Sequence, residues 1–200
     1  QTIVIPPRQV TLRSEGGYLE TTIRMAPPPE ARGVLAFAWR STPGQVVEGF
    51  TLTGGTGGVA STADGAADAT ILGCRITGNS VDDEHGAIFG ASAHSTLVVD
   101  RCSVTGNTGT VLGMTCGGAA VIRSTISNND GPIADFAEYG GGVGFTDCDI
   151  SGNRGGIWAW DVDLVRCRFV DNAGGVSGSS VQAWDCAFVG NDGRFEAGAD

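Results

Sequence analysis

The sequence contains no lysine, because all 12 of its basic residues are arginine. These face 22 acidic residues, which gives a formal net charge of -10. A charge of this sign and size argues against a nucleic-acid partner and against electrostatic binding to anionic lipid. Long hydrophobic runs are also absent, since the apolar stretches extend over only a few residues. The sequence therefore predicts no membrane-spanning segment.

The chain also has little that favours helices. Its 33 glycines and 7 prolines make up a fifth of the 200 residues and disfavour helix interiors. Hydrophobic residues reach 41%, which is too many for a disordered chain. This length and composition predict one all-β domain with many tight turns. The chain begins at Gln1 without a visible signal peptide, so we expect a mature secreted protein or a piece cut from a longer one.

A short phrase recurs along the chain and indicates a repeat protein. It reads Gly-Cys-Arg-Ile-Thr-Gly-Asn over residues 73–79. Related copies occupy residues 101–107, 123–129, 147–153, 166–172 and 185–191, and an earlier relative occupies residues 49–55. Counted from Phe50 at the cysteine position, the spacings are 24, 28, 22, 24, 19 and 19 residues. Copies at such regular spacing predict one structural unit repeated along the chain.

Each copy lies between two further signals. A strand with alternating apolar positions precedes it, as with Val143 and Phe145, and Gly-Gly plus a β-branched residue follows, as at 155–157. One unit therefore holds three short strands and must stack on its neighbours to bury its apolar face. Because strands lie about 4.8 Å apart in a sheet, each unit adds one rung to three parallel sheets. The sequence predicts a parallel β-helix, a three-sheet solenoid of about seven to eight coils.

We expect a single β-helix domain over residues 1–200. Residues 1–40 would form the first coil and a cap, 41–191 the repeat coils, and 192–200 a short tail. A β-helix leaves the backbone groups and the core of its last rung open unless something covers them. Since Phe195 is the one apolar residue of the tail large enough to plug the core, we expect either a cut end or another molecule over this end.

These residues resemble a known group of proteins. The step Cys/Phe-x-Ile/Phe-x-x-Asn, alternating with Gly-Gly-Ile/Val, resembles right-handed parallel β-helix repeat proteins, including the pectate-lyase-like superfamily. The segments 169–172 and 188–191 are similar to repeats of bacterial polymorphic outer-membrane proteins. The opening residues 2–7, 15–17 and 48–55 resemble the first coils of many secreted β-helix domains. The resemblance implies a right-handed β-helix, and it leaves function open because this architecture carries lyases, hydrolases, epimerases and adhesive stalks.

Two columns of repeated side chains are predicted to be structural. Asparagines stack at one turn, where identical amides can hydrogen-bond along a ladder: Asn79, Asn107, Asn129, Asn153, Asn172 and Asn191. Five of the six cysteines share one inward column with Phe50 and Ser124: Cys74, Cys102, Cys148, Cys167 and Cys186. We interpret these as buried, mostly reduced thiols, because in-register parallel side chains have poor geometry for disulfides. Cys116 lies outside the column and is either a reactive thiol or a buried turn residue.

The longest excursion from the repeat carries the candidate catalytic residues. Between Asn79 and Leu97 the chain places Asp82, Asp83, Glu84 and His85, followed by His94. Carboxylates beside an imidazole could provide an acid and a base, or bind Ca²⁺ through the acids. The alternative is a solvated polar loop in an acidic protein. No Ser/His/Asp arrangement, phosphate loop or Cys-x-x-Cys pair is evident, so we expect no metal site and no cofactor, with calcium the one ion considered.

Aromatic and large apolar residues follow the Gly-Gly signal on successive coils. If all of them face outward, they form an apolar stripe that could stack on sugar rings or dock a protein: Phe89, Leu112, Met114, Phe136, Trp158 and Trp160. The alternative is that the chain bends after Ile157, so that part of this set turns inward or is covered. Trp184 lies on another face and is interpreted as an isolated surface residue.

These observations support three hypotheses. The first is a non-enzymatic secreted or cell-surface scaffold, of bacterial origin, that binds a protein or a glycan through its lateral face. The second is a lyase or glycoside hydrolase acting on an acidic polysaccharide with the 82–94 loop as its site. The third is a structural subunit that stacks through its open ends.

Overall fold

A computed structural model describes residues 3–6, 9–25, 34–37, 44–55, 60–62, 68–80, 87–91, 96–114, 117–136 and 141–197. Within these residues the regular structure consists of 25 short strands, and no helix is present. The strands fall into three sheets in which every pairing is parallel.

Each coil contributes one strand to each sheet, in chain order. Sheet 1 contains β1 (Ile3–Ile5), β4 (Leu35–Phe37), β7 (Ala60–Thr62), β10 (Ala87–Ala91), β13 (Thr110–Met114), β16 (Ala134–Asp135), β19 (Ile157–Trp158), β22 (Val176–Gly178) and β25 (Phe195–Ala197). Sheet 2 contains β2 (Thr11–Arg13), β5 (Gln45–Glu48), β8 (Ala69–Leu72), β11 (Thr96–Asp100), β14 (Gly118–Ile122), β17 (Gly142–Thr146), β20 (Asp161–Val165) and β23 (Ser180–Trp184). Sheet 3 contains β3 (Thr22–Arg24), β6 (Thr51–Thr53), β9 (Arg75–Thr77), β12 (Ser103–Thr105), β15 (Thr125–Ser127), β18 (Asp149–Ser151), β21 (Arg168–Val170) and β24 (Ala187–Val189).

This arrangement confirms the predicted parallel β-helix of three sheets. The apolar alternation before each cysteine forms the strand of sheet 2, and the residues after the cysteine form the strand of sheet 3. The Asn turn follows, and the Gly-Gly signal leads into sheet 1. The sequence repeat and the structural coil are therefore the same unit.

The core is a set of columns that run along the axis of the solenoid. On sheet 3, the middle residue of each strand from β6 to β21 is buried: Leu52, Ile76, Val104, Ile126, Ile150 and Phe169. On sheet 2, Phe145 and Leu164 are fully buried and lie in register with each other. Burial of a side chain of this size contributes about 1.5–3 kcal/mol, so stacking of coils is the main source of stability.

The corner between sheets 2 and 3 has a left-handed backbone. Gly73 has φ 54° just before Cys74, and residues with side chains take the same conformation on later coils. Asp147 and Arg166 are two of these, with φ 56° and 51°. Their side chains pair across coils, because Arg166 donates from Nε to Asp147 Oδ1 at 2.6 Å and from its terminal nitrogen to Oδ2 at 2.8 Å. This charge pairing explains why arginine and aspartate occupy a position that otherwise favours glycine.

Candidate ligand-binding groove on sheet 1

The asparagine column is a continuous internal ladder, as predicted. In its middle, Asn107 Nδ2 donates to Asn129 Oδ1 at 3.0 Å, and Asn129 Nδ2 donates to Asn153 Oδ1 at 2.9 Å. Each oxygen also accepts the backbone N–H of the preceding asparagine, as Asn129 Oδ1 does from Asn107 at 3.1 Å. The side chains of both Asn107 and Asn129 are buried. All of their hydrogen-bonding capacity is directed into the turn, so the ladder stabilises the fold and is not a binding surface.

The cysteine column is also a structural ladder. The backbone N–H of Cys74 donates to Cys102 Sγ at 3.4 Å, and that of Cys102 donates to Ser124 Oγ at 3.0 Å. Cys102 Sγ donates in turn to the carbonyl of Asp100 at 3.3 Å. The five described cysteines are free thiols: Cys74, Cys102, Cys148, Cys167 and Cys186. The sequence interpretation as small hydrophobes missed this second role, in which the sulfur satisfies a buried backbone N–H that would otherwise lack a partner.

Burial governs the chemistry of these thiols. It raises the pKa of Cys102 to about 12, so this group is neutral at physiological pH. The side chains of Cys148 and Cys167 interact with each other, which raises the pKa of Cys148 and lowers that of Cys167. Cys116, the candidate for a reactive thiol, lies outside the described residues.

The six residues that were predicted to form an exposed apolar stripe do not all lie at the surface. Leu112 and Phe136 are each 1% exposed and belong to the core. Their assignment to a lateral binding surface is therefore wrong. The register explains the error for Leu112, because it pairs with Ala134, which pairs in turn with the buried Ile157.

Trp158 and Trp160 do face outward, at 58% and 55% exposure. The backbones of Phe89 and Met114 lie in β10 and β13, and their side chains lie outside what the structure describes. Trp184 is 49% exposed at the end of β23 in sheet 2, which agrees with its interpretation as a surface residue away from the stripe.

Trp158 lies beside a shallow groove of about 500 Å³ on the outer face of sheet 1. This volume is in the range of small-molecule sites. Its lining includes bare backbone at Gly156 and Gly175, together with Pro132. Glycine is needed there for packing, because a Cβ on Gly156 would overlap the carbonyl oxygen of Gly175 on the next coil. The paired glycines thus let neighbouring coils approach closely, and they leave the groove open next to the indole of Trp158.

Polar side chains surround the indole along the same column. Asp135 pairs with Trp158, Trp158 with Ser177, and Ser177 with Glu196, each on the next coil in the direction of the axis. All four residues line the groove, and Arg194 lines it beside Glu196. The sequence interpretation missed Asp135, Ser177, Arg194 and Glu196. Alignment of successive coils on the glycine that begins this signal would have placed Ser177 and Glu196 in the column of Trp158. It would not have placed Asp135 there, because Asp135 lies one residue further from its Gly-Pro signal.

The candidate catalytic residues cannot be placed. Asp82, Asp83, Glu84, His85 and His94 all lie outside the described residues. The described part of the chain contains no group of three or more His, Cys, Asp or Glu side chains that could hold a metal ion.

The outer column of sheet 2 carries carboxylates that are already paired. Arg13 binds Glu48 at 2.8 and 3.0 Å, and Arg123 binds Asp100 at 3.0 and 2.6 Å. The hydrogen bond from Arg13 lowers the pKa of Glu48. Leu72 lies between Glu48 and Asp100 in register. These carboxylates are therefore paired with arginines and separated from each other by an apolar residue.

The last described coil exposes residues that earlier coils bury. Phe188 stacks on buried Phe169 with ring centroids 5.0 Å apart, yet it is 38% exposed. Phe195 packs edge-on against Phe188 at 4.0 Å and is 43% exposed. These two rings cover part of the core at this end, and one of them is Phe195, the residue of the tail that was expected to plug it. Assembly of the chain through this end stays a prediction.

The comparisons with known proteins identify the family. A family model described as the right-handed beta helix region matches residues 44–196, so the chain belongs to the right-handed β-helix family. The search of curated proteins and the search of solved structures each return no match. In the part of the chain that the structure describes, no helix is long and apolar enough to cross a membrane.

Proposed function

We propose that this protein is a non-enzymatic scaffold, secreted or at a cell surface, that binds a glycan through the groove on sheet 1. The observation that carries the proposal is Trp158, an indole 58% exposed beside a groove of about 500 Å³ with polar side chains around it. An aromatic ring offers a flat apolar face, and neighbouring carboxylate and hydroxyl groups can hydrogen-bond to a ligand rich in hydroxyls.

The extent of the apolar surface favours a glycan over a protein partner. With Leu112 and Phe136 in the core, the outward part of the predicted stripe that the structure describes is reduced to Trp158 and Trp160. A stable protein interface buries about 800 Å² on each partner around a central apolar cluster. Two indoles bordered by Asp135 and Glu196 are a small patch for that purpose, whereas one exposed ring is sufficient to stack on a sugar.

The spacing of the groove carboxylates favours binding over hydrolysis. Asp135 and Glu196 lie three coils apart in one column, which corresponds to about 14 Å between strands. Paired carboxylates of glycoside hydrolases lie about 5–9.5 Å apart, so this pair is too widely spaced to act on one glycosidic bond. The alternative, a polysaccharide lyase or hydrolase, depends on residues 82–85, which lie outside the described residues.

The test is binding of a carbohydrate panel to the wild-type chain and to single tryptophan variants. Isothermal titration with soluble oligosaccharides gives the affinities, and Trp158→Ala is expected to weaken binding at least about tenfold by loss of the stacking surface. Trp184→Ala is the matched control, because it removes a similarly exposed indole from another sheet.

Equal loss in both variants, or none in Trp158→Ala, would contradict the proposed site. Capture of a protein ligand at Trp158 in the absence of any saccharide binding would replace the glycan with a protein partner. Cleavage of an acidic polysaccharide that is abolished by Asp83→Ala or His85→Ala would establish the enzymatic alternative.

A further inference from the structure

We infer that the site takes two consecutive sugars of one glycan chain, because Trp160 provides a second stacking position next to Trp158. This inference rests on the proposed function and specifies its ligand, since a disaccharide is the smallest saccharide that reaches both rings. It starts from the exposure of three successive residues. Trp158 and Trp160 are 58% and 55% exposed, whereas Ala159 between them is 3% exposed.

The backbone that carries the two tryptophans is held by the coils on both sides. The N–H of Phe136 donates to the carbonyl of Trp158 at 2.8 Å, and the N–H of Trp160 donates to the carbonyl of Gly141 at 3.1 Å. These hydrogen bonds join the segment to the preceding coil. The N–H of Ala159 donates to a carbonyl of the following coil at 3.2 Å. Both indoles are therefore carried by a fixed backbone, and a ligand pays little for ordering this part of the chain.

This backbone sets the distance between the two stacking positions. The chain is extended from Trp158 as far as Trp160, where it bends towards β20. In an extended segment, residues two positions apart point to the same side, and their Cα atoms lie about 7 Å apart. Neighbouring sugar rings of an oligosaccharide are separated by a comparable distance. One sugar can therefore stack on Trp158 while the next sugar of the chain stacks on Trp160.

The surroundings leave both indoles free to stack on a ligand. Among the described residues, ring contacts join phenylalanines near the last coil, and neither indole takes part in one. On the following coil, small residues lie beside the segment, because Ser177 pairs with Trp158 and Gly178 comes next. A Cβ on Gly178 would overlap the carbonyl oxygen of Ala159. Close packing of the two coils thus keeps a bulky side chain away from the space between the indoles.

The two stacking positions are unequal. Trp158 lines the groove together with Ser177 and Arg194, whereas Trp160 lies beyond that lining. A sugar on Trp158 has polar neighbours to which its hydroxyl groups can hydrogen-bond, and a sugar on Trp160 is held mainly by stacking. Trp158 therefore carries the binding of a single sugar, and Trp160 adds affinity only when a second sugar follows.

The experiment measures affinity against saccharide length on the wild-type chain, Trp158→Ala, Trp160→Ala and Trp160→Phe, with Trp184→Ala as the matched control. The probes are glucose, galactose, mannose and galacturonic acid, with the linear disaccharide of each, titrated while the indole signals are followed by NMR. For a sugar that binds, we expect the disaccharide to bind the wild-type chain about three- to tenfold more tightly than the monosaccharide. Trp160→Ala should remove this gain and leave the affinity for the monosaccharide unchanged. Trp160→Phe should keep part of the gain, because a ring remains.

Two results would overturn the inference. One is an equal affinity of the wild-type chain for the two lengths, and the other is an equal loss for both lengths in Trp160→Ala, since the two indoles would then hold one sugar. If Trp158→Ala abolishes binding while Trp160→Ala changes nothing, the proposed function stands and only the second position fails. If no probe binds the wild-type chain, both the proposed function and the inference are overturned. Thermal unfolding checks that each variant is folded.

Discussion

At the scale of single residues, the asparagine ladder shows most clearly how a side chain can satisfy the hydrogen-bonding groups of the backbone. Asn129 uses its amide in both directions, since Nδ2 donates to Val104 O at 3.1 Å and to Asn153 Oδ1 at 2.9 Å. Its Oδ1 accepts from the backbone and the side chain of Asn107. Removal of a buried amide leaves its partners unsatisfied, which costs more than the hydrogen bonds themselves contribute.

We therefore expect Asn129→Ala to lower the free energy of unfolding by about 3 kcal/mol or more. Asn191→Ala should cost less, because Asn191 is only partly buried at the last rung and its neighbours can reach water. Urea denaturation of the two variants beside the wild type measures the difference. Equal losses, or a tolerated Asn129→Ala, would show that the ladder is not a main source of stability.

The buried thiol of Cys102 makes a prediction about pH. Its pKa in the folded chain is about 12, above the ordinary value of 9.0, and burial is the main cause. Because folding raises this pKa, the thiol makes its full contribution to the free energy of unfolding below pH 9. That contribution is lost as the pH rises from 9 towards 12. The loss amounts to about 1.4 kcal/mol per pH unit over that interval.

Cys102→Ser is the natural control, because Ser124 occupies the same column on the next coil. We expect the variant to lose less stability than the wild type between pH 8 and pH 10.5, measured by urea denaturation at both values. An identical decline in the two proteins would mean that folding does not raise the pKa of Cys102.

At the scale of the element, the Gly-Gly turn before sheet 1 determines how closely coils can stack. Gly156 faces the carbonyl of Gly175, which is backbone and cannot move without separating two strands. Gly156→Ala should therefore destabilise the fold by about 1–3 kcal/mol. Gly144→Ala is the control, because a Cβ there meets no atom within 4 Å. Thermal unfolding distinguishes the two, and a neutral Gly156→Ala would mean that the turn can open.

The repeat predicted the strands and both ladders because it fixes the alternation of each strand relative to a landmark. Cysteine and asparagine fall at the same place on every coil, so inward and outward positions follow by counting. Sheet 1 has only the Gly-Gly signal as a landmark, and this signal varies between coils, because it reads Gly-Pro before β16. Its strands shorten to two residues at β16 and β19, and the neighbouring residues Ile133 and Ala134 are both buried. Strict alternation counted from Ile133 therefore places Phe136 outward, although the structure buries it.

The same limit explains why the groove was only partly predicted. The outward Trp158 was found from its aromatic ring, whereas Asp135 and Glu196 look like ordinary surface acids in an acidic chain. Their common place in one column depends on the register of four coils with different loop lengths. That register could not be predicted from the sequence of each coil taken separately.

At the scale of the whole molecule, the solenoid is a rigid support that presents a binding site on its outer surface. Its core, its corners and its two ladders are used for stability, and the described carboxylates of the outer column of sheet 2 are paired with arginines. The outer face of sheet 1 carries the groove in which Trp158 lies among polar side chains.

The most direct test of glycan binding at this groove is the set of tryptophan indole N–H signals in a two-dimensional NMR spectrum. Each signal is assigned by the corresponding tryptophan variant, and an oligosaccharide is added in steps. We expect a progressive shift of the Trp158 signal, a smaller shift for Trp160, and no change for Trp184. A bound saccharide that moves Trp184 or leaves Trp158 unchanged would contradict glycan binding at this groove.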